Sequence, residues 1–382
     1  MSEIKVNSIK GVGASAAAIT VNNTDGTCTA NLTSISGGQL SNRNKVINGS
    51  MIIHQRGGSL TGNEYTLDRF KIERSTDGAY TVSQSTESPD DFSNSLHVDC
   101  TTADTSVASG QYLQLKHSIE GQNLQDLAKG TSTAKKTVLS FYVKTNLTGT
   151  YAVSIYDADN TRLFATTYTV SNTNWNRYTI DIPADTTGAL NNDNGSSIEL
   201  YWSLVQGSSR TSGSASTSWG SYALANFAVG HNVNFLGSTD NNWYLTGVQF
   251  EKSDTGVATD FEHMSFGQEL ALCQRYCQVF GGVTNYTLFG TGVWKSSTVA
   301  SIGFPFMTKM RSQPSFSVTS PTNSMVRSGG SNIDVTTVAL DINTTENVMY
   351  NANASSGGTN GHGAMHLAKG NTDTTITLSA EL

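Results

Sequence analysis

The chain has 382 residues, more than one hydrophobic core normally organises, so two or three domains are expected. Its 47 Ser, 49 Thr and 32 Asn make up about a third of the sequence while charged residues are only 14%, a composition that favours strands and tight turns over long helices and predicts an all-β fold. The balance of 23 basic against 30 acidic residues, −7 overall, excludes the clustered basic footprint of a nucleic-acid binder, and no apolar run reaches the 18 residues of a membrane-spanning helix.

Residues 1–43 contain short β-like pieces (Ile4–Val6, Ala18–Val21, Thr27–Leu32) separated by Asn-Asn, Asp-Gly and Gly-Gly turn signals. None could bury a face alone, so the segment reads as an N-terminal attachment peptide ordered by docking on something larger. Ala14–Val21 is too short and too polar for a secretory core, and Glu3 stands where a basic flank belongs, so no signal peptide is expected.

From residue 44 to 264 the pattern is that of a large β-domain. Leu139, Phe141 and Val143 alternate with Ser140, Tyr142 and Lys144, and Tyr151, Val153 and Ile155 repeat the period. Asp157-Ala-Asp-Asn160 turns the chain into a strand over 163–170, and Tyr178, Ile180, Ile182 and Ile198, Leu200, Trp202, Leu204 mark two more. Two antiparallel sheets face to face, a jelly-roll sandwich, are the economical solution. Gly207–Gly220 is a low-complexity exposed loop, and Trp219 within it reads either as an anchor folded back on the sandwich or as a stacking platform for a ligand.

Ser265 and Gln268 spell a capping box, and no Gly or Pro interrupts 268–280, which predicts a helix in a linker over 265–282. Phe266, Leu270, Cys273, Cys277 and Phe280 step by 4, 3, 4 and 3, the spacing of a coiled-coil seam that would surround a symmetry axis. Leu272, Tyr276 and Val279 form a second stripe, and a helix simply lying on the sandwich is the plainer alternative. Residues 283–382, with five charges of each sign, form a second, smaller β-sandwich.

Little in the sequence asks for catalysis. His362 and His366 are four apart but lie in a Gly-, Ser- and Asn-rich stretch without the Glu of a metalloprotease, so a polar surface is expected and no metal. Cys273 and Cys277 make half a zinc site at most and read as core. The Asp90–Asp91 and Asp260–Glu262 pairs have the residue types of a glycosidase, yet their separation in space is unreadable. No Gly-x-Ser-x-Gly elbow, phosphate loop or dinucleotide fingerprint occurs, so no cofactor is expected. Sugars present an apolar face and many hydroxyls, and the aromatic and polar candidates to bind one are Tyr286, Trp294, Tyr350, His362 and His366 of the last domain, with Trp219.

Three stretches resemble bacteriophage tail-fibre proteins of the marine and cyanobacterial type. Met1-Ser-Glu-Ile-Lys-Val-Asn-Ser-Ile9 is similar to their opening. Asn48-Gly-Ser-Met-Ile-Ile-His-Gln-Arg56 and Tyr65-Thr-Leu-Asp-Arg69 resemble the start of a carbohydrate-binding-like jelly roll common in such fibres; Gly247-Val-Gln-Phe-Glu251, Ala258-Thr-Asp-Phe-Glu-His263 and Glu269-Leu-Ala-Leu-Cys-Gln-Arg-Tyr276 resemble its end. Pro305-Phe-Met-Thr-Lys-Met-Arg-Ser-Gln-Pro314 looks like the start of the small β-domain that follows. The resemblance implies a non-enzymatic homotrimeric fibre of the virion tail, made in the host cytoplasm. Residues 1–43 would be held by tail or adaptor proteins, and the distal end would adhere to host surface polysaccharide or lipopolysaccharide, with no nucleic acid bound and no membrane entered. A polysaccharide-degrading spike and a purely structural virion adaptor are the alternatives.

Overall fold

The computed structural model describes residues 42–382, with short pieces at 8–9, 19–21, 24 and 28–30. Ser8–Ile9, Ile19–Val21 and Cys28–Ala30 pair as a small antiparallel meander. Most of the segment expected to attach the chain lies outside the described residues.

Period-two alternation builds the first sandwich. In the strand Thr137–Thr145, Leu139, Phe141 and Val143 are buried while Tyr142 and Lys144 stand on the opposite face. This strand belongs to a five-stranded antiparallel sheet in the order Asn176–Ile182, Thr137–Thr145, Asn242–Lys252, Ser95–Thr102, Ala79–Ser85. A six-stranded sheet lies against it, in the order Gly220–Ser221, Arg162–Val170, Gly149–Asp157, Ser196–Gln206, Tyr112–Glu120, Phe70–Ser75. Their inner faces share one core, in which Trp202 of one sheet meets Phe141 of the other edge-on at 5.8 Å. The strands between residues 70 and 120 have no counterpart among the predicted ones, because their alternation is diluted by Ser, Thr and Gln.

The two outer faces differ. On the six-stranded sheet, Ala152, Leu163 and Tyr201 are covered by Phe227 and Ala228 of the long segment that follows strand Ser196–Gln206. On the five-stranded sheet, Tyr142, Lys144, Tyr244 and His97 are only partly buried, and among the described residues no layer lies across them.

The helix runs over Phe266–Gln274 with the expected capping box at Ser265, but it ends six residues before Phe280. Cys277–Gly281 is instead an edge strand paired with Thr375–Ser379, whose other neighbour is Ser315–Thr319. The second sandwich therefore begins at Cys277, inside the stretch expected to be linker: cross-strand pairing outweighs helix propensity in a Tyr-Cys-Gln-Val-Phe run. Its other sheet has seven antiparallel strands, ordered Ser331–Asp334, Ser324–Ser328, Gly363–Ala368, Leu288–Trp294, Val299–Pro305, Asn347–Asn353, Thr337–Asn343. Trp294, Ile302, Val348, Tyr350 and Ile376 close the core between the two sheets. No helix among the described residues is long and apolar enough to cross a membrane.

Candidate functional site

The structure disperses the candidates drawn from the last domain. Trp294, Tyr350 and His366 are fully buried, so none can meet a glycan. Ser324 Oγ donates to the Pro321 carbonyl at 2.6 Å and so accepts from His366 Nε2 at 2.8 Å, which leaves Nδ1 to accept the Tyr350 hydroxyl at 2.8 Å. His366 is a satisfied core imidazole, and burial lowers its pKa to about 4. Tyr286 and His362 are exposed but sit at opposite ends of the strand Leu288–Trp294: Tyr286 N donates to Lys369 O, and His362 O accepts from Trp294 N. Trp219 is an anchor, packed on the first core with its indole N–H donating to Pro183 O at 2.9 Å.

The coiled-coil seam is likewise not a free face. Cys273 and Cys277 are fully buried, Leu270 is half-buried, and Phe280 packs on Phe304 at 4.7 Å. Only Phe266 is exposed, so these five residues do not line an axis between chains. The seam fails because the helix stops after two turns, with Cys273 turned into the protein and Cys277 already in the strand beyond it.

An open aromatic cleft lies instead on the outer face of the five-stranded sheet. It has a volume of about 420 Å³ and is lined by Asp91, Phe92, Tyr142, Arg177, Asp260, Phe261 and His263. Tyr142 and Arg177 are register partners on adjacent strands, which places them side by side, the guanidinium 5.9 Å from the ring centroid. Phe92 gathers the other rings, at 5.4 Å from Tyr142, 5.0 Å from Phe261 and 5.2 Å from His263.

Each side chain is held from behind. Phe92 ends a turn in which its N–H donates to Pro89 O at 3.2 Å, and Asp91 takes φ +69° at the third position, where a turn of this kind prefers glycine. A carboxylate-bearing residue kept at that angle is an observed strain at the cleft wall. Arg177 Nη2 donates to Ser140 Oγ at 3.2 Å and to the Thr259 carbonyl. Asp260 and Phe261 are positioned by two buried side chains one layer below. Glu251 accepts from Thr259 N–H at 2.8 Å, and Gln249 Oε1 accepts from Glu262 N–H at 2.8 Å.

Gly247 forms the floor. It sits at φ +62° within the register shift between Thr246 and Gln249, and a Cβ there would come within 2.7 Å of the Tyr142 ring and 2.8 Å of Phe92. Only glycine lets the two rings close.

Of the carboxylates paired from sequence, the structure separates one pair and unites another. Glu262 turns away to accept Asn44 N–H at 2.8 Å, whereas Asp91 and Asp260, distant in sequence, share the cleft. Neither carboxylate is engaged by another side chain among the described residues. Rings for an apolar sugar face, unengaged carboxylates for hydroxyl donors and a fixed guanidinium are the groups a saccharide needs. Among the described residues no three His, Cys, Asp or Glu side chains gather as metal ligands.

No family model matches the chain, and no curated protein matches its sequence. Solved structures are similar over about half of the chain. The family 11 carbohydrate-binding module from Clostridium thermocellum, in complex with a β-1,3-1,4-mixed-linked tetrasaccharide, is similar at 8% identity and TM-score 0.26, covering 54% of this chain and 98% of that one. A xylan-binding domain of carbohydrate-binding family 22 gives 10% and 0.28 over 52% and 95%, and TmCBM61 in complex with β-1,4-galactotriose gives 7% and 0.26 over 55% and 99%. Likeness at this level carries no argument about a ligand; the chemistry of the cleft follows from its own geometry.

None of the cleft aromatics was a sequence candidate, although two signals mark them. Tyr142 falls on the polar side of a clear alternation, where an aromatic ring has no core to fill. Gly247, Asp260, Phe261 and His263 all lie in the stretches that resemble the end of a tail-fibre jelly roll, and in space they meet at one cleft.

Proposed function

We propose that this chain is a non-enzymatic glycan-binding protein that grips saccharide in the cleft of its first sandwich, and that it serves as the receptor-binding fibre of a bacteriophage tail. The observation that carries the glycan reading is the union of Tyr142, Phe92, Arg177, Asp91 and Asp260 on the outer sheet face that the described residues leave uncovered. The fibre reading is supported by the sequence motifs. Their start and end segments meet at the helix and the domain junction, where Asn48 Nδ2 donates to Asp68 O at 3.0 Å, Asn48 N donates to Glu269, and Arg69 lies over Tyr276.

In this reading residues 1–43 dock on tail or adaptor proteins, three copies assemble, and the chain works on the virion tail after synthesis in the host cytoplasm. Three copies raise avidity without new contacts, so a modest single-site affinity suffices. The trimer contacts would come from surfaces other than the helical seam.

The test is adsorption of labelled full-length protein to susceptible cells and to their isolated polysaccharide, with reducing ends measured on the same samples. Retention that Arg177→Ala and Phe92→Ala abolish, without new reducing ends, is expected. Sustained cleavage would replace this reading by a degrading spike, and absence of adsorption to any susceptible cell would leave a structural adaptor.

A further inference from the structure

Beside the cleft, four residues form a second row across the same sheet. Tyr244 is the register partner of both Lys144 and His97, and Trp175, which directly precedes Asn176, falls beside Lys144 because Asn176 pairs with Val143. Lys144 lies two residues from Tyr142 on the same strand face, so this row stands about 7 Å along the strands from the row of Tyr142 and Arg177.

The second row is built as rigidly as the first. His97 stacks on Tyr244 with centroids 4.3 Å apart and planes 5° from parallel, and Trp175 meets Tyr244 edge-on at 6.2 Å. Glu87 ties the row together, accepting from Lys144 Nζ at 2.8 Å and from the Trp175 indole N–H at 3.1 Å. Glu87 belongs to the same connection as Asp91 and Phe92, and Ser88 Oγ donates to Phe92 O at 2.6 Å, so one loop orders both rows. A cluster kept only for packing would be covered; among the described residues these rings are half-exposed.

We propose that Trp175, Tyr244 and His97 form a second saccharide subsite, and that the two rows together take a linear, uncharged oligosaccharide running along the strand direction rather than a single terminal sugar. The proposal rests on the glycan reading of the cleft. A spacing of two strand positions suits neighbouring rings of an extended chain, and pre-ordered aromatics lose little freedom on binding. The charge also selects. Asp91, Asp260 and Glu87, with Asp99 two residues from His97 on the same strand face, stand against Arg177, Lys144 and Arg43, whose Nη2 donates to Asp260 O at 3.2 Å. One negative charge is in excess, so a chain with a carboxylate on every repeat is repelled, most strongly at low salt.

The experiment is isothermal titration of the full-length protein with linear gluco-, galacto-, manno- and xylo-oligosaccharides of one to six residues and with oligogalacturonates of the same lengths. At least one neutral series should tighten about tenfold between one residue and four, the effect of adding one aromatic platform, and the oligogalacturonates should bind more weakly. Trp175→Ala and, separately, Tyr244→Ala should flatten that dependence while leaving monosaccharide binding in place. Arg177→Ala should remove both. Length-independent binding, an unchanged length dependence in both row variants, or tighter binding of the acidic series overturns this inference and leaves the cleft reading standing. No binding by any series at millimolar concentration overturns the cleft reading and this inference with it.

Discussion

The guanidinium of Arg69 lies 3.5 Å from the centroid of the Tyr276 ring, a contact that joins the first sandwich to the start of the second. Arg69 is buried in full, donates to Ser118 O at 2.6 Å and pairs with Glu381, which also takes Arg56 at 2.9 Å. The Tyr65 hydroxyl donates to the carbonyl of Leu382, so the last two residues of the chain are seated in the first domain.

Removing Glu381 leaves two cations in a buried site without their partner. Glu381→Ala should therefore cost about 3–5 kcal/mol, and deletion of residues 381–382 should split thermal unfolding into two transitions. Calorimetry checks both. A single unshifted transition in the deletion would show that the ion pairs do not couple the sandwiches.

The floor of the cleft gives a sharper separation of stability from binding. Gly247→Ala should cost about 1–2 kcal/mol for the left-handed backbone, and it should abolish saccharide retention because its Cβ pushes Tyr142 and Phe92 apart. Asp91→Gly should do the reverse to stability, raising it by up to about 1 kcal/mol by removing the strained φ, while weakening binding through loss of a carboxylate. Urea denaturation and affinity electrophoresis on the same preparations measure the pair.

Lys129 is a buried ammonium in a cage of oxygens, at 2.5 Å from Asp157, 2.9 Å from Asp185, 3.1 Å from Gly188 O and 3.2 Å from Thr187 O, with the Trp219 ring at 5.0 Å. It ties the loop that precedes the strand Thr137–Thr145 to the Asp157–Asn160 turn and to Trp219. Lys129→Met should cost about 3–5 kcal/mol, since the buried Asp157 carboxylate loses its cation, while Asp185 keeps Arg162 at 2.7 Å. Trp219 fluorescence during unfolding reports it; a loss under about 1 kcal/mol would mean that water compensates the carboxylate.

Acid should weaken the fold through its buried imidazoles, among them His54 and His117, whose pKa burial also lowers. Burial lowers both His231 and His366 to a pKa of about 4, against 6.5 for an ordinary histidine. Between those values the unfolded chain binds protons that the folded chain does not, so this contribution is complete above pH 6.5 and is lost as the pH falls from 6.5 to 4. Each histidine accounts for on the order of 3 kcal/mol over that window. Asp68 and Glu269, whose carboxyls burial raises, act in the opposite sense, so the clean measurement is the difference between wild type and His366→Gln. The urea midpoint of the variant should fall less steeply from pH 7 to pH 4.5; parallel curves would refute the assignment.

Local chemistry alone determined a good deal of this protein. Alternation in Leu139, Phe141 and Val143 set one face of a strand, Asp157–Asn160 set a turn, and Ser265 with Gln268 capped a helix start, because each depends on residues a few positions apart. Tertiary structure decided where the helix ends, since Cys277 joins a strand whose partner, Ser379, is about a hundred residues away. It decided the fate of the aromatics as well. Trp294 and Tyr350 read from sequence as ligand platforms and Tyr142 did not, because burial depends on which sheet faces are covered. The segment carrying Phe227 covers one outer face of the first sandwich, and the other is left open by the described residues. Asp91, Tyr142, Arg177, Gly247 and Phe261 become one cleft only when five separate stretches of chain are laid across that open sheet, and no period in the sequence records such a meeting.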